Sequence, residues 1–137
     1  MRILITGAFG FVGRNLTAEL HNRGYKNLYL YDVSTDPALL DGYAASCDFV
    51  FHLAGVNRPE DPKEFMEGNF GFTSTLLDAL RRHTNPAPVL ITSSTQAALD
   101  NPYGISKRAG EELMRSYSAE TGSKVFIFRL PNVFGKW

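Results

Sequence analysis

Short apolar runs of four to six residues alternate along this chain with longer stretches whose apolar positions recur every three or four residues. Arg2–Thr6, Asn27–Tyr31, Asp48–Leu53, Val89–Thr92 and Lys124–Arg129 are the short runs. They are rich in Ile, Leu, Val, Phe and Tyr with little polar alternation, the pattern of parallel strands covered on both faces. Between them the spacing predicts helices. Val12, Leu16 and Leu20 stack on one face of a helix that ends near Arg23, with Gly24 as its stop. Asp36-Pro37 opens a helix over 38–46 with proline at its start. Glu64 to Arg82 reads as a long helix interrupted near Gly68-Asn69, with Leu76, Leu77 and Leu80 facing the core. Asn101-Pro102 opens the last helix, which runs to about Thr121 and stops at Gly122. Strictly alternating strands and helices imply one doubly wound parallel sheet in three layers, α/β/α. Residues 33–48 are too few for a helix, a strand and a second helix, so the outer third strand of such a sheet is expected to be reduced or missing.

The first predicted strand runs straight into Gly7, Gly10 and Gly13, spaced GxxGxxG, and then into a helix. In that context each glycine has a physical task. The first makes the tight turn, the second lets backbone approach a pyrophosphate, and the third packs helix against strand. The helix N-terminus adds N–H donors and a partial positive charge. Gly7, Phe9, Gly10, Phe11, Val12 and Gly13 are therefore candidate dinucleotide contacts in a Rossmann-type fold. Asp32 lies 19 residues past Gly13, at the end of the second strand, where an acid holds the adenosine ribose hydroxyls. A carboxylate there favours NAD, because it repels the 2′-phosphate of NADP. The alternative is that Asp32 caps the next helix. Leu53 ends the third strand and the small residues Ala54 and Gly55 follow, so that a cofactor can lie against all three. Arg58, in the polar loop that follows, is either placed to meet an anion or simply solvated. His52, inside an apolar strand, reads as a hydrogen-bonded core histidine rather than a ligand.

Composition narrows the options. At 137 residues the chain is one domain that buries roughly two-thirds of its unfolded surface. Lys+Arg and Asp+Glu number 14 each, so net charge makes no case for nucleic acid or a membrane surface. No apolar run reaches membrane-spanning length. The single Cys47 has no internal disulfide partner, and no Cys/His cluster suggests a metal; a reducing cytoplasm is the expected compartment.

The chemistry sits at the other end of the chain. Tyr103 and Lys107 fall at i and i+4 on the last helix, one turn apart on one face. A free phenol titrates near 10, too high for proton exchange at neutral pH. A neighbouring ammonium favours the phenolate and makes Tyr103 a usable acid and base, while Lys107 also reaches toward the nicotinamide ribose. Ser94, at the end of the preceding strand, is placed to hydrogen-bond a carbonyl oxygen. Such a trio beside a dinucleotide suits hydride transfer between nicotinamide and a carbinol carbon.

These residues resemble the extended branch of the short-chain dehydrogenase/reductase superfamily, the NAD-dependent epimerase/dehydratase family acting on nucleotide sugars. GAFGFVG, HLAG, NPYGISK and RLPNVFG carry the likeness. HLAGVNRPE, SSTQAALDNPYGISK and PNVFGKW are more similar still to the N-terminal reductase domain of bifunctional capsular-polysaccharide enzymes. That resemblance implies an NADP(H)-dependent reductase of a 4-keto-6-deoxy UDP-N-acetylhexosamine, with Tyr103 as acid/base, Lys107 its partner and Ser94 the carbonyl donor. It further implies Pro131 beside the cofactor, Asn132 on the sugar nucleotide and a C-terminal substrate-binding part outside residues 1–137. Thr95-Gln96 stand where a 4,6-dehydratase carries an Asp-Glu pair, which argues against dehydratase chemistry. Three functions remain at this point: a nucleotide-sugar ketoreductase, a C4 epimerase holding NAD, and a cofactor-binding domain without turnover. NAD follows from Asp32 and NADP(H) from the resemblance. The last strand is expected to be exposed and to pair with a second copy in a homodimer.

Overall fold

The strands form where the apolar runs stand. In the computed structural model, residues 1–53, 70–94 and 102–130 are described, with residues 94, 102, 103 and 130 described in backbone only. β1 (Arg2–Thr6), β2 (Asn27–Tyr31), β3 (Phe49–His52), β4 (Val89–Ser94) and β5 (Val125–Leu130) make one sheet of order β2-β1-β3-β4-β5. Every neighbouring pair is parallel. The chain steps from β1 outward to β2 and then returns to β3 on the other side of β1. The resulting switch point lies between the C-terminal ends of β1 and β3, where open α/β sheets form their ligand crevice. Residues 32–48 hold one helix and turns but no strand, so the outer strand is missing, as their number requires. β4 outlasts its apolar run by two residues because Ser93 and Ser94 still pair with Arg129 and Leu130.

The helices follow their predicted bounds closely. α1 (Phe11–Asn22) ends at Arg23, and Gly24 takes φ +90° to turn the chain out. α2 (Ala38–Ser46) starts where Asp36 Oδ1 accepts the Ala38 N–H at 3.0 Å. α3 (Phe72–Arg82) is the described part of the long predicted helix; Glu64 to Asn69 lie outside the described residues. α4 (Pro102–Thr121) ends at Gly122, φ +78°.

Among the described residues, the two faces of the sheet are unequally covered. α2, α3 and α4 pack Leu40, Ala44, Leu76, Leu77, Leu80, Met114 and Tyr117 on Leu4, Val50, Val89 and Ile91. α1 covers the other face with Leu16 and Leu20 over Ile3, Ile5, Leu28, Leu30 and Phe51. The register carries that second face along the row Ile5, Phe51, Leu90, Phe126. At its end Phe126 and Phe128 stay 42% and 54% exposed.

Candidate functional site

Backbone packing shapes the glycine turn. Gly7 takes φ +66°, a conformation that side chains disfavour, and its carbonyl accepts the Gly10 N–H at 3.2 Å. A Cβ on Gly13 would lie 2.2 Å from that same carbonyl oxygen and 2.8 Å from the Ala8 backbone. Only glycine permits this approach. Among the described residues no side chain caps α1 and no acid stands in its first turn, so its positive end suits an anion. Phe9 and Phe11 are exposed on the turn, Val12 is half-buried, and Gly13 is buried.

Asp32 is part of this turn. Its Oδ2 accepts the Phe9 N–H at 2.9 Å and its Oδ1 accepts the Val33 N–H at 2.7 Å. Ala8 N–H bonds the Tyr31 carbonyl beside it at 3.2 Å. The capping alternative falls, because Asp36 rather than Asp32 meets the start of α2. The link from Asp32 to Phe9 was not read from the sequence. Its signal was the β1/β2 register, which sets Tyr31 beside Thr6 and so brings Asp32 to the glycine turn.

His52 sits between the turn and the chemical corner. It is 1% exposed, with Nδ1 2.7 Å from the Thr6 hydroxyl and Nε2 2.8 Å from the Thr73 hydroxyl. Burial, with the charge of Lys107 second, pulls its pKa down to about 3. It is therefore a neutral core histidine that ties the ends of β1 and β3 to α3. Leu53, just beyond, is half-buried and donates its N–H to the Thr6 carbonyl at 3.2 Å. Ala54, Gly55, Arg58, Pro131 and Asn132 lie outside the described residues.

At the far corner, Tyr103 stands in the first turn of α4, Lys107 one turn later, and Ser94 ends β4. The side chains of Ser94 and Tyr103 lie outside the description, so the corner is defined by Lys107 and what surrounds it. Burial lowers Lys107 to about 8, against the upward pull of Glu111. Glu111 is fully buried and receives the Arg129 fork, Nε to Oε2 at 2.9 Å and Nη2 to Oε1 at 2.8 Å. Burial alone would raise its pKa, but the Arg129 hydrogen bonds, the nearby Ser93 hydroxyl and the charges of Arg129 and Arg115 outweigh it. Glu111 thus stays below the usual carboxylate range. The buried Ser93 hydroxyl faces this carboxylate without reaching full hydrogen-bond geometry. Glu111 and its partnership with Arg129 were missed in the sequence, where the sole hint was a third polar residue on the Tyr103/Lys107 face.

A separate cleft of about 340 Å³ lies between the C-terminal ends of α3 and α4, lined by Leu80, Arg81, Tyr117 and Glu120 among others. Its charges are already paired: Arg81 meets Glu120 at 2.5 Å and Asp78 at 2.9 Å. Among the described residues no group of three or more His, Cys, Asp or Glu is placed to hold a metal, and no helix is long and apolar enough to cross a membrane.

The profile of the NAD dependent epimerase/dehydratase family matches residues 3–137. The chain belongs to this family. It is 50% identical over its full length to a UDP-2-acetamido-2,6-beta-L-arabino-hexul-4-ose reductase of Pseudomonas aeruginosa, of which it covers 37%. Its fold matches the capsular polysaccharide assembling protein CapF of Staphylococcus aureus with a TM-score of 0.83 and 46% identity, over 96% of this chain and 36% of that one. It also matches RMD from Pseudomonas aeruginosa, solved with NADPH, with a TM-score of 0.74 and 28% identity, over 96% of this chain and 54% of that one. The chain thus spans little more than a third of the first two relatives, and about half of the third. The Rossmann-type sheet with one outer strand fewer is the form this family member takes.

Proposed function

We propose that this chain is the cofactor-binding part of an NAD(P)-dependent reductase acting on the 4-keto group of a nucleotide-activated 6-deoxy sugar, of the UDP-N-acetylhexosamine type, in capsular or O-antigen precursor synthesis. The observation that carries this reading is Lys107, held near pKa 8 one turn beyond Tyr103 on α4, with Ser94 at the adjoining strand end. The 50% identity to a reductase of a UDP-linked 4-ulose supports the substrate class.

Gly7, Phe9, Gly10, Phe11, Val12 and Gly13 would hold the dinucleotide at the open end of α1. Asp32 meets the ribose with lone pairs left over from Phe9 and Val33, and Leu53, Ala54, Gly55 and Pro131 would flank it. The bound nicotinamide supplies the hydride. The chain's own residues handle the oxygen: Ser94 donates to the carbonyl, Tyr103 delivers its phenolic proton, and the Lys107 ammonium stabilises the phenolate left behind. Arg58 and Asn132 would contact the sugar nucleotide.

Tyr103→Phe in the intact enzyme should lower kcat by about a hundredfold or more, followed by consumption of reduced nicotinamide with the 4-keto sugar. Wild-type kcat should also fall above about pH 8, as Lys107 loses its proton. A Tyr103→Phe enzyme with ordinary turnover would overturn the assignment. The C4 epimerase is the second reading, supported by Val33-Ser34-Thr35, with no Arg, directly following Asp32 in the sequence. NAD retained through gel filtration would favour it.

A further inference from the structure

The reaction outlined above makes no use of Glu111, although an ionised carboxylate with no exposure carries a large desolvation cost. Part of the reason for keeping it is mechanical. The bidentate contact with Arg129 fastens α4 to β5.

Two placements point beyond a clamp. Tyr103, Lys107 and Glu111 fall at i, i+4 and i+8, so Glu111 stands directly behind Lys107 on the face that carries the chemistry. Arg129 is the register partner of Ser93, the residue before Ser94, and Leu130 is the partner of Ser94 itself. The ion pair therefore sits where the helix of Tyr103 and Lys107, the strand end of Ser94 and the strand leading to Asn132 all meet.

We propose that Glu111 is a positioning residue for the Lys107 ammonium: its carboxylate, held by Arg129, fixes α4 against the ends of β4 and β5 and supplies a negative charge that keeps Lys107 protonated. This rests on the reading of Lys107 as the partner of Tyr103. Several groups face Lys107 or act on it. Glu111 does so from α4 and the neutral His52 from β3. Arg129 of β5 and Arg115 of α4 act through the carboxylate they share, Arg115 at 3.5 Å.

The charges predict opposite effects for the two partners. Glu111→Gln removes the negative charge and leaves a guanidinium behind, so Lys107 should titrate lower. Arg129→Gln removes the fork and leaves the carboxylate with the looser contact to Arg115, so Lys107 should titrate higher. Lysine labelled with carbon-13 at Cε, followed by NMR against pH in the intact protein and assigned with Lys107→Arg, reads both without turnover. Shifts on the order of half a pH unit, downward for Glu111→Gln and upward for Arg129→Gln, are expected. A purely structural clamp moves both the same way or neither, and that result overturns the proposal. Should circular dichroism show Glu111→Gln unfolded, Arg115→Gln at the exposed edge takes its place. An upward shift there and in Arg129→Gln supports the proposal, and no shift in either overturns it.

The kinetic arm separates this inference from the function it rests on. The alkaline limb of kcat should move down with Glu111→Gln while KM is unchanged. Opposite NMR shifts together with an active Tyr103→Phe enzyme would sink the functional reading and with it the catalytic meaning of Glu111. An inactive Tyr103→Phe enzyme without the NMR shifts would sink this inference alone.

Discussion

The glycine turn and the α4 corner both lie where a strand gives way to a helix, at the C-terminal ends of one parallel sheet, yet different physics holds each. The turn is a matter of shape. Backbone lies so close to backbone at Gly13 that no Cβ fits, and Asp32, its charged partner among the described residues, accepts from main-chain N–H groups. The corner is a matter of charge. Lys107, Glu111 and Arg129 are set by burial and by one another, and the Arg129 fork comes from 18 residues further along the chain. A turn made by shape tolerates no added atom. A corner made by charge tolerates atoms but responds to protons.

The sharpest way to break that contrast is Gly13→Ala. The added methyl would stand 2.2 Å from the Gly7 carbonyl oxygen, and nothing there is a flexible side-chain end that gives way. A loss of about 3 kcal/mol or more is expected, read as a lowered denaturation midpoint with weaker dinucleotide binding. A Gly13→Ala protein of ordinary stability would mean the turn is looser than this packing implies.

Next in size is the polar chain between the two regions. Thr6→Val removes the hydroxyl at His52 Nδ1 and should cost about 1–3 kcal/mol, because a buried ring nitrogen is left without a partner. The same histidine sets an acid limit. His52 titrates at about 3 when folded, against an ordinary 6.5. Between those values the unfolded chain binds the extra proton, so this residue's contribution to stability falls as pH drops from about 6.5 toward about 3. Melting temperatures across that range should flatten in His52→Gln; an unchanged slope would place the acid sensitivity elsewhere.

The smallest expected effect is Asp32→Asn. It keeps the shape and an acceptor for Phe9 but removes the charge, so stability should change by about 1 kcal/mol or less. Calorimetry with NADH and NADPH should show discrimination shifting toward NADPH. Equal loss of both would make Asp32 a support for the turn rather than a reader of the ribose.

Much of this molecule was legible residue by residue. The strand and helix pattern, the missing outer strand, the stops at Gly24 and Gly122 and the glycine turn all follow from local rules: apolar period, helix termination and the steric demand of a tight turn. His52 was rightly read as a core residue, because an imidazole amid β-strand apolars is usually hydrogen-bonded and neutral. The misses share a cause. That Asp32 fastens Phe9 depends on which strand lies beside β1, and that Arg129 reaches Glu111 behind Lys107 depends on how α4 settles on β4 and β5. Neither partner is near in sequence.

Local chemistry thus determined what this chain is built from: the elements, the turn that suits a dinucleotide, and Tyr103 and Lys107 one turn apart on one helix. Only the tertiary structure decided the electrostatics. A side chain's protonation depends on how much water reaches it and which charges stand within a few ångströms, and both are set when distant segments pack.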